Sequence, residues 1–303
     1  MARPMLLDVD TGVDDAVAIA RASSLESHEL VALTTVAGNV PVEFTTANTL
    51  TVAAWLGIDV PIYRGMSEPL ARPLYTAREH HGFDGLGGWK PPVTPAKLET
   101  ETAPEAIVRL AREHRGEITF VFVGPLTNLA VALSLEPRIT EWVDRLVIMG
   151  GAFAVPGNTT AVAEFNIYAD PEAAAKVARS AIRSVWVGLD ATHETGVTRA
   201  QWERLAETDD PGHVLVREVM RRSLTEFNRP RFYLHDPLAV AVAESEGAVE
   251  MWVGQVVVDV GEFERGKTRL TEPVDADAAS IAARRVNHDV FNAILGRLAP
   301  IGD

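Results

Sequence analysis

Four aspartates stand close together near the start of the chain, at Asp8, Asp10, Asp14 and Asp15. They follow a short apolar segment and precede a segment with helical spacing. Two bare carboxylates about 4 Å apart repel each other by about 1 kcal/mol in water, and by more when they are partly buried. Because a cation reverses the sign of that interaction, this stretch predicts a metal site made of carboxylate oxygens.

The donor atoms narrow the choice of cation. The chain contains no Cys, which excludes thiolate ligands, disulfides and thiol nucleophiles. Ca²⁺ takes about six to eight oxygen ligands from carboxylates, carbonyls and water, and a hard ion of this kind fits the sequence best. Helix capping alone also accounts for Asp14 and Asp15. Capping does not explain Asp8 and Asp10, which come before the predicted helix. Their spacing of two residues puts both side chains on the same face of the predicted strand.

These aspartates lie in a chain whose apolar, often β-branched segments alternate with segments of helical periodicity. The predicted strands are 4–9, 28–38, 118–124, 145–151 and 184–190, and the predicted helices are 14–24, 42–57, 103–116, 126–137 and 170–181. The last third predicts helices near 198–228, 236–246 and 288–298 and a strand pair at 254–260 and 265–272. This order predicts an α/β fold with an open, mostly parallel, Rossmann-like sheet flanked by helices.

Polar residues follow the predicted strands. The first strand leads to the aspartates, and later strands lead to Asn39, to Thr127, to the loop containing Asn158 and to Asp190. In an open parallel sheet these points lie along the carboxyl edge, where such folds bind ligands. We therefore expect the active site at that edge. Long loops are predicted at 64–97 and 150–165, and loops of this length in a compact domain are usually functional or disordered.

Composition limits the function further. The 303 residues are 47% hydrophobic, and no internal repeat or linker divides them, so we expect one domain over residues 1–303. The formal net charge of −14 disfavours a nucleic-acid partner. The N-terminus reaches acidic residues too early for a signal peptide, and the apolar stretches are too short to span a membrane. We therefore expect a cytoplasmic protein without membrane contact.

An ordered set of motifs along nearly the whole chain resembles the nucleoside hydrolase family of the inosine–uridine-preferring type. That family opens with Asp-x-Asp-Pro-Gly-x-Asp-Asp, and the stretch from Asp8 to Asp15 matches it except that Thr11 replaces the proline. The further matches, in family order, are TTVAGN (34–39), GPLTNLA (124–130), MGG (149–151), GNTTAVAEFNIYADPEA (157–173), VGLDATH (187–193) and HDP (235–237). A lone DxDxG is weak evidence, whereas this ordered set is highly specific.

The resemblance implies a set of ligands for Ca²⁺ and for a ribonucleoside. The implied metal ligands are the carboxylates of Asp10, Asp15 and Asp236 and the backbone carbonyl of Thr127. The implied ribose-binding residues are Asp14, Asn39, Asn158, Glu164 and Asn166, and His81 belongs to a glycine-rich loop that could close over the site. Without the resemblance, we would interpret Asp236 as a helix cap, as we interpret Asp170. Relatives are commonly homodimers or homotetramers that serve purine or pyrimidine salvage.

The implied reaction is hydrolysis of the N-glycosidic bond to free nucleobase and ribose. Asp10 is the expected general base for a water held by the ion. The transition state should resemble an oxocarbenium ion, which a negatively charged site favours over the neutral substrate. His235 is the candidate acid for the leaving base, because histidine titrates near neutral pH. Phe83, Phe232 and Tyr233 are candidates for nucleobase contacts, although aromatic residues are more often part of a core.

Two other functions stay open at this point. A haloacid-dehalogenase-like phosphatase also begins with a DxD motif after a buried strand, but it needs a cation placed for phosphate, and Lys is sparse here. A nucleoside-binding protein without catalytic activity could use the same scaffold. Loss of Asp10 or Asn166 would be the sequence sign of that function, and both are present.

Overall fold

A computed structural model of the chain describes residues 2–204, 209–272 and 280–296. The strands in these ranges are β1 (Arg3–Val9), β2 (His28–Thr35), β3 (Ile62–Arg64), β4 (Thr119–Phe122), β5 (Arg145–Met149), β6 (Ser184–Val187), β7 (Val197–Thr198), β8 (Arg231–Phe232), β9 (Val249–Val258), β10 (Thr268–Thr271) and β11 (Ser280–Val286). Strands β7 and β8 pair with each other, and the other strands form one sheet. That arrangement supports the expected single domain over residues 1–303, which stays a prediction.

The helices of the described ranges vary from one turn to four turns. They are α1 (Val13–Ser23), α2 (Val42–Leu56), α3 (Arg78–His81), α4 (Ala103–Glu113), α5 (Thr127–Leu135), α6 (Ile139–Trp142), α7 (Phe165–Ala169), α8 (Pro171–Ala178), α9 (Leu189–Thr192), α10 (Arg199–Arg204), α11 (Pro211–Thr225), α12 (His235–Glu244) and α13 (His288–Leu295). A short 3₁₀ turn covers Glu246–Ala248.

The strand order of the large sheet is β10-β9-β11-β6-β5-β4-β1-β2-β3. Its central part is parallel, whereas β9 runs antiparallel to both β10 and β11. From β1 the chain adds β2 and β3 on one side, and it then returns to add β4, β5 and β6 on the other side of β1. The direction in which strands are added therefore reverses between β1 and β4. A ligand crevice in such a sheet forms at the carboxyl ends of the strands beside this switch point. The fold therefore directs a site to the residues that follow β1, β2 and β4.

Helices cover both faces of the sheet, as the strand–helix alternation predicts. Neighbouring side chains of β4 show the two cores, because Val121 packs in one apolar cluster and Phe120 in the other. The first cluster contains residues of α1, α11 and α12, and the second contains residues of α4, α5 and α8. Among the described residues, no helix combines the length and the apolar character that crossing a membrane requires.

The predicted elements are confirmed with boundaries shifted by a few residues, and four strands were missed: β3, β7, β8 and β11. Strands β7 and β8 have two residues each. Strand β3 is only three residues long. Strand β11 has a register irregularity between Ala283 and Arg285, and such a bulge breaks the alternation on which sequence-based prediction depends. Part of the predicted helical stretch at 198–228 (residues 205–208) and the end of the last predicted helix (residues 297 and 298) lie outside the described residues.

Asp170 connects three segments beneath the carboxyl edge of the sheet. Its carboxylate accepts hydrogen bonds from the backbone N–H of Ala173 at 3.0 Å, the hydroxyl of Thr127 at 2.7 Å and the backbone N–H of Leu70 at 2.9 Å. It thus caps α8, as the sequence predicts, and also fixes the start of α5 and part of the loop after β3. Asp170 is fully buried.

We expect Asp170→Ala to lower the free energy of unfolding by about 2–4 kcal/mol, since three donors lose a buried acceptor. The matched control is Asp210→Ala, because Asp210 caps α11 through the backbone N–H of His213 at 3.0 Å but is exposed. That variant should lose about 1 kcal/mol. Urea unfolding followed by circular dichroism measures both values. Equal losses would contradict the connecting role of Asp170.

Candidate active site

The turn after β1 is built around the side chains of Asp10 and Asp15. The Asp15 carboxylate accepts the backbone N–H groups of Asp10 at 3.0 Å and Gly12 at 2.8 Å, and the side-chain amide of Asn39 at 3.0 Å. Asp15 is the third residue of α1, where an acidic side chain also favours helix initiation. Thr11, at the position of the family's proline, hydrogen-bonds the Thr49 hydroxyl at 2.6 Å and thereby connects the turn to α2.

Asp10 lies in a narrow space between backbone segments. Its Oδ2 accepts the backbone N–H of Asn39 at 2.7 Å, while its Oδ1 is buried without a hydrogen-bond partner. A Cβ atom at Gly38 would lie 2.1 Å from Asp10 Oδ2, and one at Gly124 would lie 2.9 Å from Asp10 Oδ1. Both positions follow strands of the sheet, so glycine there leaves room for the carboxylate.

Three carboxylates from two distant parts of the sequence meet at this edge. Single carboxylate oxygens of Asp14, Asp15 and Asp236 all lie within 4.8 Å of one another, and all three residues are buried. Asp236 reaches the cluster from the first turn of α12. Helix α12 begins at His235 and its N-cap is Leu234, so the interpretation of Asp236 as a helix cap is wrong. Its carboxylate lies near the carboxylates of Asp14 and Asp15 and accepts no capping hydrogen bond.

Burial raises the pKa of every acid in this region. Desolvation is the largest cause in each case, and repulsion from neighbouring carboxylates adds to it for Asp10, Asp14 and Asp236. The pKa of Asp14 is raised to about 8 and that of Glu164 to about 7. The pKa values of Asp10 and Asp236 are raised well above the ordinary value. The raised pKa values mean that the ionised carboxylates are disfavoured where no positive charge lies near them.

The residues present fit a hard divalent cation. Asp10 Oδ1 and Asp14 Oδ1 are buried oxygens without hydrogen-bond partners, and buried polar atoms normally have partners. Coordination of a cation would satisfy them and would remove the repulsion within the cluster. Asp10, Asp15 and Asp236 were predicted as ligands, and the geometry adds Asp14 to the candidates. Thr127 is the first residue of α5, and its hydroxyl donates a hydrogen bond to the Asp170 carboxylate.

A cavity of about 330 Å³ opens above the cluster. Its lining includes eight of the predicted site residues: Asp14, Asn39, His81, Asn158, Glu164, Asn166, His235 and Asp236. Its volume is within the range of pockets that bind small molecules. The predicted convergence of these residues at the carboxyl edge is therefore observed, although their individual roles stay predictions.

One side of the cavity is formed by Glu164 and Asn166. Glu164 caps α7, and its carboxylate accepts the backbone N–H groups of Asn166 at 2.9 Å and of Gly151 and Ile167, each at 3.2 Å. The Asn166 side-chain amide donates to the Val123 carbonyl at 2.7 Å. Both side chains are therefore held by backbone atoms at the carboxyl ends of β4 and β5.

Asn158 lies further out on the same side of the cavity and is exposed. Its side-chain oxygen accepts the backbone N–H of Phe165 at 2.9 Å. The loop that contains Asn158 is fixed at its start by Asp190, whose carboxylate accepts the backbone N–H groups of Phe153 at 2.8 Å and Ala154 at 2.7 Å. Asp190 follows β6, so it belongs to the polar residues predicted at the carboxyl edge.

Histidines also line the cavity. His81 Nδ1 accepts the backbone N–H of Val13 at 3.2 Å, so its proton must be on Nε2. His235 Nδ1 is hydrogen-bonded to the Thr192 hydroxyl at 2.8 Å. Burial, reinforced by neighbouring histidines and, for His81, by Arg229, lowers the pKa of both His81 and His235 to about 3. Both imidazoles are therefore neutral at pH 7 in the metal-free protein.

Two of the three aromatic candidates line the cavity, and their contact with a nucleobase stays a prediction. Phe232 and Tyr233 line the cavity, and the Tyr233 ring lies 5.6 Å from His235 and 5.2 Å from His193 between centroids. Phe83 does not line the cavity, because its ring is 69% exposed and packs against Phe44 with Arg78 above it.

Sequence reasoning did not single out several polar and aromatic residues that line the cavity, among them Tyr75, Glu79, His80, Ser223, Arg229 and Arg231. Tyr75 lies in the predicted loop after β3, and its ring packs 6.1 Å from that of Phe165. The available signals were the double histidine at 80–81 and the arginines before HDP. Neither signal says which of these side chains points inward.

Comparisons with known proteins agree with this geometry. The family model described as inosine-uridine preferring nucleoside hydrolase matches residues 5–293. The pyrimidine-specific ribonucleoside hydrolase of Citrobacter koseri is 38% identical over 278 residues, 88% of each chain. The corresponding protein of Salmonella typhimurium is 37% identical with the same coverage.

Solved structures give the same result. A plant nucleoside hydrolase superposes with a TM-score of 0.91 at 30% identity, covering 99% of both chains. A purine-preferring ribonucleoside hydrolase from Gardnerella vaginalis superposes with a TM-score of 0.89 at 30% identity, again covering 99% of both chains. The two groups of relatives carry names for different base preferences.

We expect the stability of the metal-free protein to fall as pH rises from about 7 to about 8. In this window the folded state still holds a proton on Asp14, whose pKa is raised to about 8, whereas the unfolded chain lost that proton near pH 4; the fall ends when Asp14 itself ionises in the folded state. Unfolded histidines are almost neutral in the same window and contribute little.

Thermal unfolding in chelator at several pH values measures this slope. A divalent cation that binds the cluster replaces the protons, so the slope should flatten when Ca²⁺ is added. A chelated protein whose stability stays constant across the window would contradict the raised pKa values.

Proposed function

The chain belongs to the inosine-uridine preferring nucleoside hydrolase family, and from this we propose that it is a Ca²⁺-dependent ribonucleoside hydrolase. It hydrolyses the N-glycosidic bond and releases free nucleobase and ribose. The observation that carries the proposal is the buried cluster of Asp14, Asp15 and Asp236 at the floor of the cavity. The comparisons give no support to a haloacid-dehalogenase-like phosphatase, and the curated relatives are named as enzymes.

Asp10, Asp15 and Asp236 would hold Ca²⁺, together with the carbonyl of Thr127. The oxygen-only donor set and the partnerless buried Oδ1 of Asp10 support this assignment. Because Asp14 lies in the same cluster, its carboxylate is near enough to act on both the ion and the sugar. When bound, Ca²⁺ supplies coordination for water and for the ribose hydroxyls and offsets the charge of the cluster.

Asp10 is the proposed general base. The backbone N–H of Asn39 holds its Oδ2 at 2.7 Å, which leaves Oδ1 to accept the proton of the attacking water. Burial raises the pKa of Asp10 above its ordinary value, and a higher pKa makes its carboxylate a stronger base for the proton of water. The walls at Gly38 and Gly124 prevent the carboxylate from turning away.

The ribose is held by fixed polar groups. Asp14 and Asn166 would bind the 2′- and 3′-hydroxyls of the ribose. Glu164 and Asn158 would bind its 5′-hydroxyl. Asn39 donates hydrogen bonds to Asp10 and Asp15 and also lines the cavity. The carboxylates favour the cationic ribosyl group of the transition state over the neutral substrate, and that difference lowers the barrier.

The leaving base departs on the histidine side of the cavity. His235 stays the candidate acid, and its contact with Thr192 orients the imidazole. Because the imidazole is neutral in the metal-free protein, His235 must gain a proton when substrate binds in order to act as the acid. His81 would close the site from the loop between β3 and α4. A homodimer or homotetramer, a cytoplasmic location and a role in nucleoside salvage stay predictions.

We expect ribose release from at least one of inosine, adenosine, guanosine, uridine and cytidine, and loss of that activity in chelator. The ion is needed because the cluster cannot hold water and ribose while its carboxylates repel one another. A reducing-sugar assay with and without added Ca²⁺ measures both effects. Absence of release from all five nucleosides would count decisively against the proposal.

We expect Asp10→Asn to lower kcat by about 100- to 10,000-fold, the usual contribution of a general base. Asparagine keeps an oxygen for the backbone N–H of Asn39 but cannot take a proton. The matched control is Asp8→Asn, two residues earlier in β1, where the carboxylate accepts Thr34 and Asn128 at 2.6 and 2.7 Å. Asp8→Asn should keep kcat within about 3-fold, since Asp8 is outside the proposed machinery. Equal losses in both variants would mean that the effect is structural.

A further inference from the structure

A buried asparagine joins the turn that carries Asp10 to the loop that carries His81. Asn48 lies in the interior of α2 and is only 8% exposed. Its side-chain amide donates to the Thr11 carbonyl at 3.0 Å and to the Asp84 carbonyl at 2.8 Å. Both partners are acceptors, so the amide nitrogen must face them and both of its protons are used. Asn48 therefore bridges two segments that are far apart in the sequence.

An asparagine at this position does not favour the helix itself. Asn is a weaker helix former than Ala or Leu, and buried amides in proteins are normally hydrogen-bonded. The next residue of α2, Thr49, also reaches the turn, through the hydroxyl of Thr11 at 2.6 Å. Helix α2 thus holds the turn at two points, and Asn48 extends that attachment to the loop.

The histidine loop, residues 81–88, has few polar contacts outside itself. In the described part of the chain, residues 82–88 form hydrogen bonds within residues 78–89, apart from the bond that Asn48 donates to the Asp84 carbonyl. The Asp84 carboxylate, for example, accepts the backbone N–H groups of Leu86 and Gly88, each at 3.2 Å. Asn48 is therefore the polar attachment of these residues to the rest of the protein.

The loop backbone packs closely against the Asn48 amide. Gly85 has φ of +91°, and a Cβ atom there would lie 2.6 Å from Asn48 Nδ2, so this position requires glycine for its conformation and for the close approach. Apolar contacts add to the attachment, because Leu86 is buried in the first apolar cluster and Phe83 packs against Phe44. Since apolar packing is non-directional, the hydrogen bonds of Asn48 fix the orientation of the loop on the turn.

The position of His81 depends on this attachment. His81 lines the cavity, and its Nδ1 accepts the backbone N–H of Val13 at 3.2 Å, directly after the turn. The segment before His81 is held separately, because the backbone N–H of Ala77 donates to the Asn39 carbonyl at 3.0 Å. The segment after His81 is held by the hydrogen bonds of Asn48. The imidazole thus lies between two attachments to the turns that build the carboxylate site.

We propose that Asn48 is a positioning residue, which holds His81 at the cavity by fixing the histidine loop to the turn after β1. This inference rests on the proposed hydrolase function, in which His81 closes the site over the substrate. Without the bridge, the loop is in place in only a fraction of the free molecules, and the apparent affinity for substrate falls by that fraction. Once substrate has bound, the loop is in place and the chemical step is unchanged. Loss of Asn48 therefore acts on KM rather than on kcat.

The first test measures the kinetics of Asn48→Leu with Ca²⁺, on the nucleoside that the wild type hydrolyses fastest. Leucine has a similar size but no donor. We expect KM to rise by about 10-fold, which corresponds to a loop in place in about a tenth of the free molecules, while kcat stays within about 3-fold. In a His81→Ala background the same substitution should change KM by less than about 2-fold, because effects that act through one shared residue are not additive. Asn48→Ala replaces Asn48→Leu if leucine prevents folding.

The second test, hydrogen exchange without substrate, does not depend on activity. In Asn48→Leu the backbone amides of residues 82–88 should exchange about 10-fold faster than in the wild type, because the loop opens more often. The amides of β4 and α5 should keep their rates.

The matched control is Thr51→Val in the same helix. The Thr51 hydroxyl donates to the Ala47 carbonyl of α2 at 2.8 Å and contacts neither the turn nor the loop. Thr51→Val should change neither the loop exchange nor the kinetics. The calorimetric Ca²⁺ affinity should stay within about 3-fold in Asn48→Leu as well, because Asp15 still accepts the backbone N–H groups of Asp10 and Gly12.

The outcomes can be told apart. If the wild type releases ribose from no nucleoside, the proposed function fails, and hydrogen exchange still decides whether Asn48 holds the loop. If ribose is released but Asn48→Leu leaves KM and loop exchange unchanged, the inference is wrong while the proposed function stands. A fall in kcat at constant KM, equal effects with and without His81, or faster exchange throughout the protein also overturns it. A Ca²⁺ affinity that falls by 10-fold or more in Asn48→Leu does the same, because Asn48 would then act through the cation site.

Discussion

Five carboxylates buried around one turn are the constraint on which the rest of this structure depends. Asp10, Asp14, Asp15, Glu164 and Asp236 raise one another's pKa values or share the same desolvated region. Backbone N–H groups and the Asn39 amide compensate part of this charge, chiefly at Asp15 and Glu164. Two buried oxygens still have no partner. Burying so many acids is tolerated only if protons or a cation neutralise them, and that need connects the fold to the proposed chemistry.

The buried carboxylates lie at the carboxyl edge of the sheet, beside the switch point in the strand order. Strand order reverses between β1 and β4, so the turns after these strands separate and leave a crevice. Asp10 and Asp15 are held at the floor by rigid strand ends, where small displacements are resisted by close packing at Gly38 and Gly124. Other lining groups lie on longer connections, including the segment with His80 and His81 and the one with Arg229. The carboxylates are thus held by strand ends, whereas these groups depend on the packing of loops.

The relatives carry names for different base preferences. This chain is 38% identical to a protein named pyrimidine-specific and 30% identical to one named purine-preferring. The lining of its cavity includes Arg229, His80, Phe232 and Tyr233, and three of these four side chains carry hydrogen-bond donors. A buried donor opposite another donor is costly, so donors in the lining limit which groups a ligand can present to them.

The sequence by itself determined the α/β class, the alternation of strands and helices, and the gathering of Asp10, Asp14, Asp15 and Asn39 at one edge. These follow from local periodicity and from the rule that parallel strands end together. Strand β11 was missed because its bulge breaks the local pattern, and Asp236 was first interpreted as a cap because its motif is the same as that of Asp170. Only the tertiary structure brought Asp236 to Asp14 and Asp15, and only it joined Arg229 to His80 across 149 positions. Such pairings are decided by how helices and loops pack over the sheet, a property of the whole chain that no short window of sequence contains.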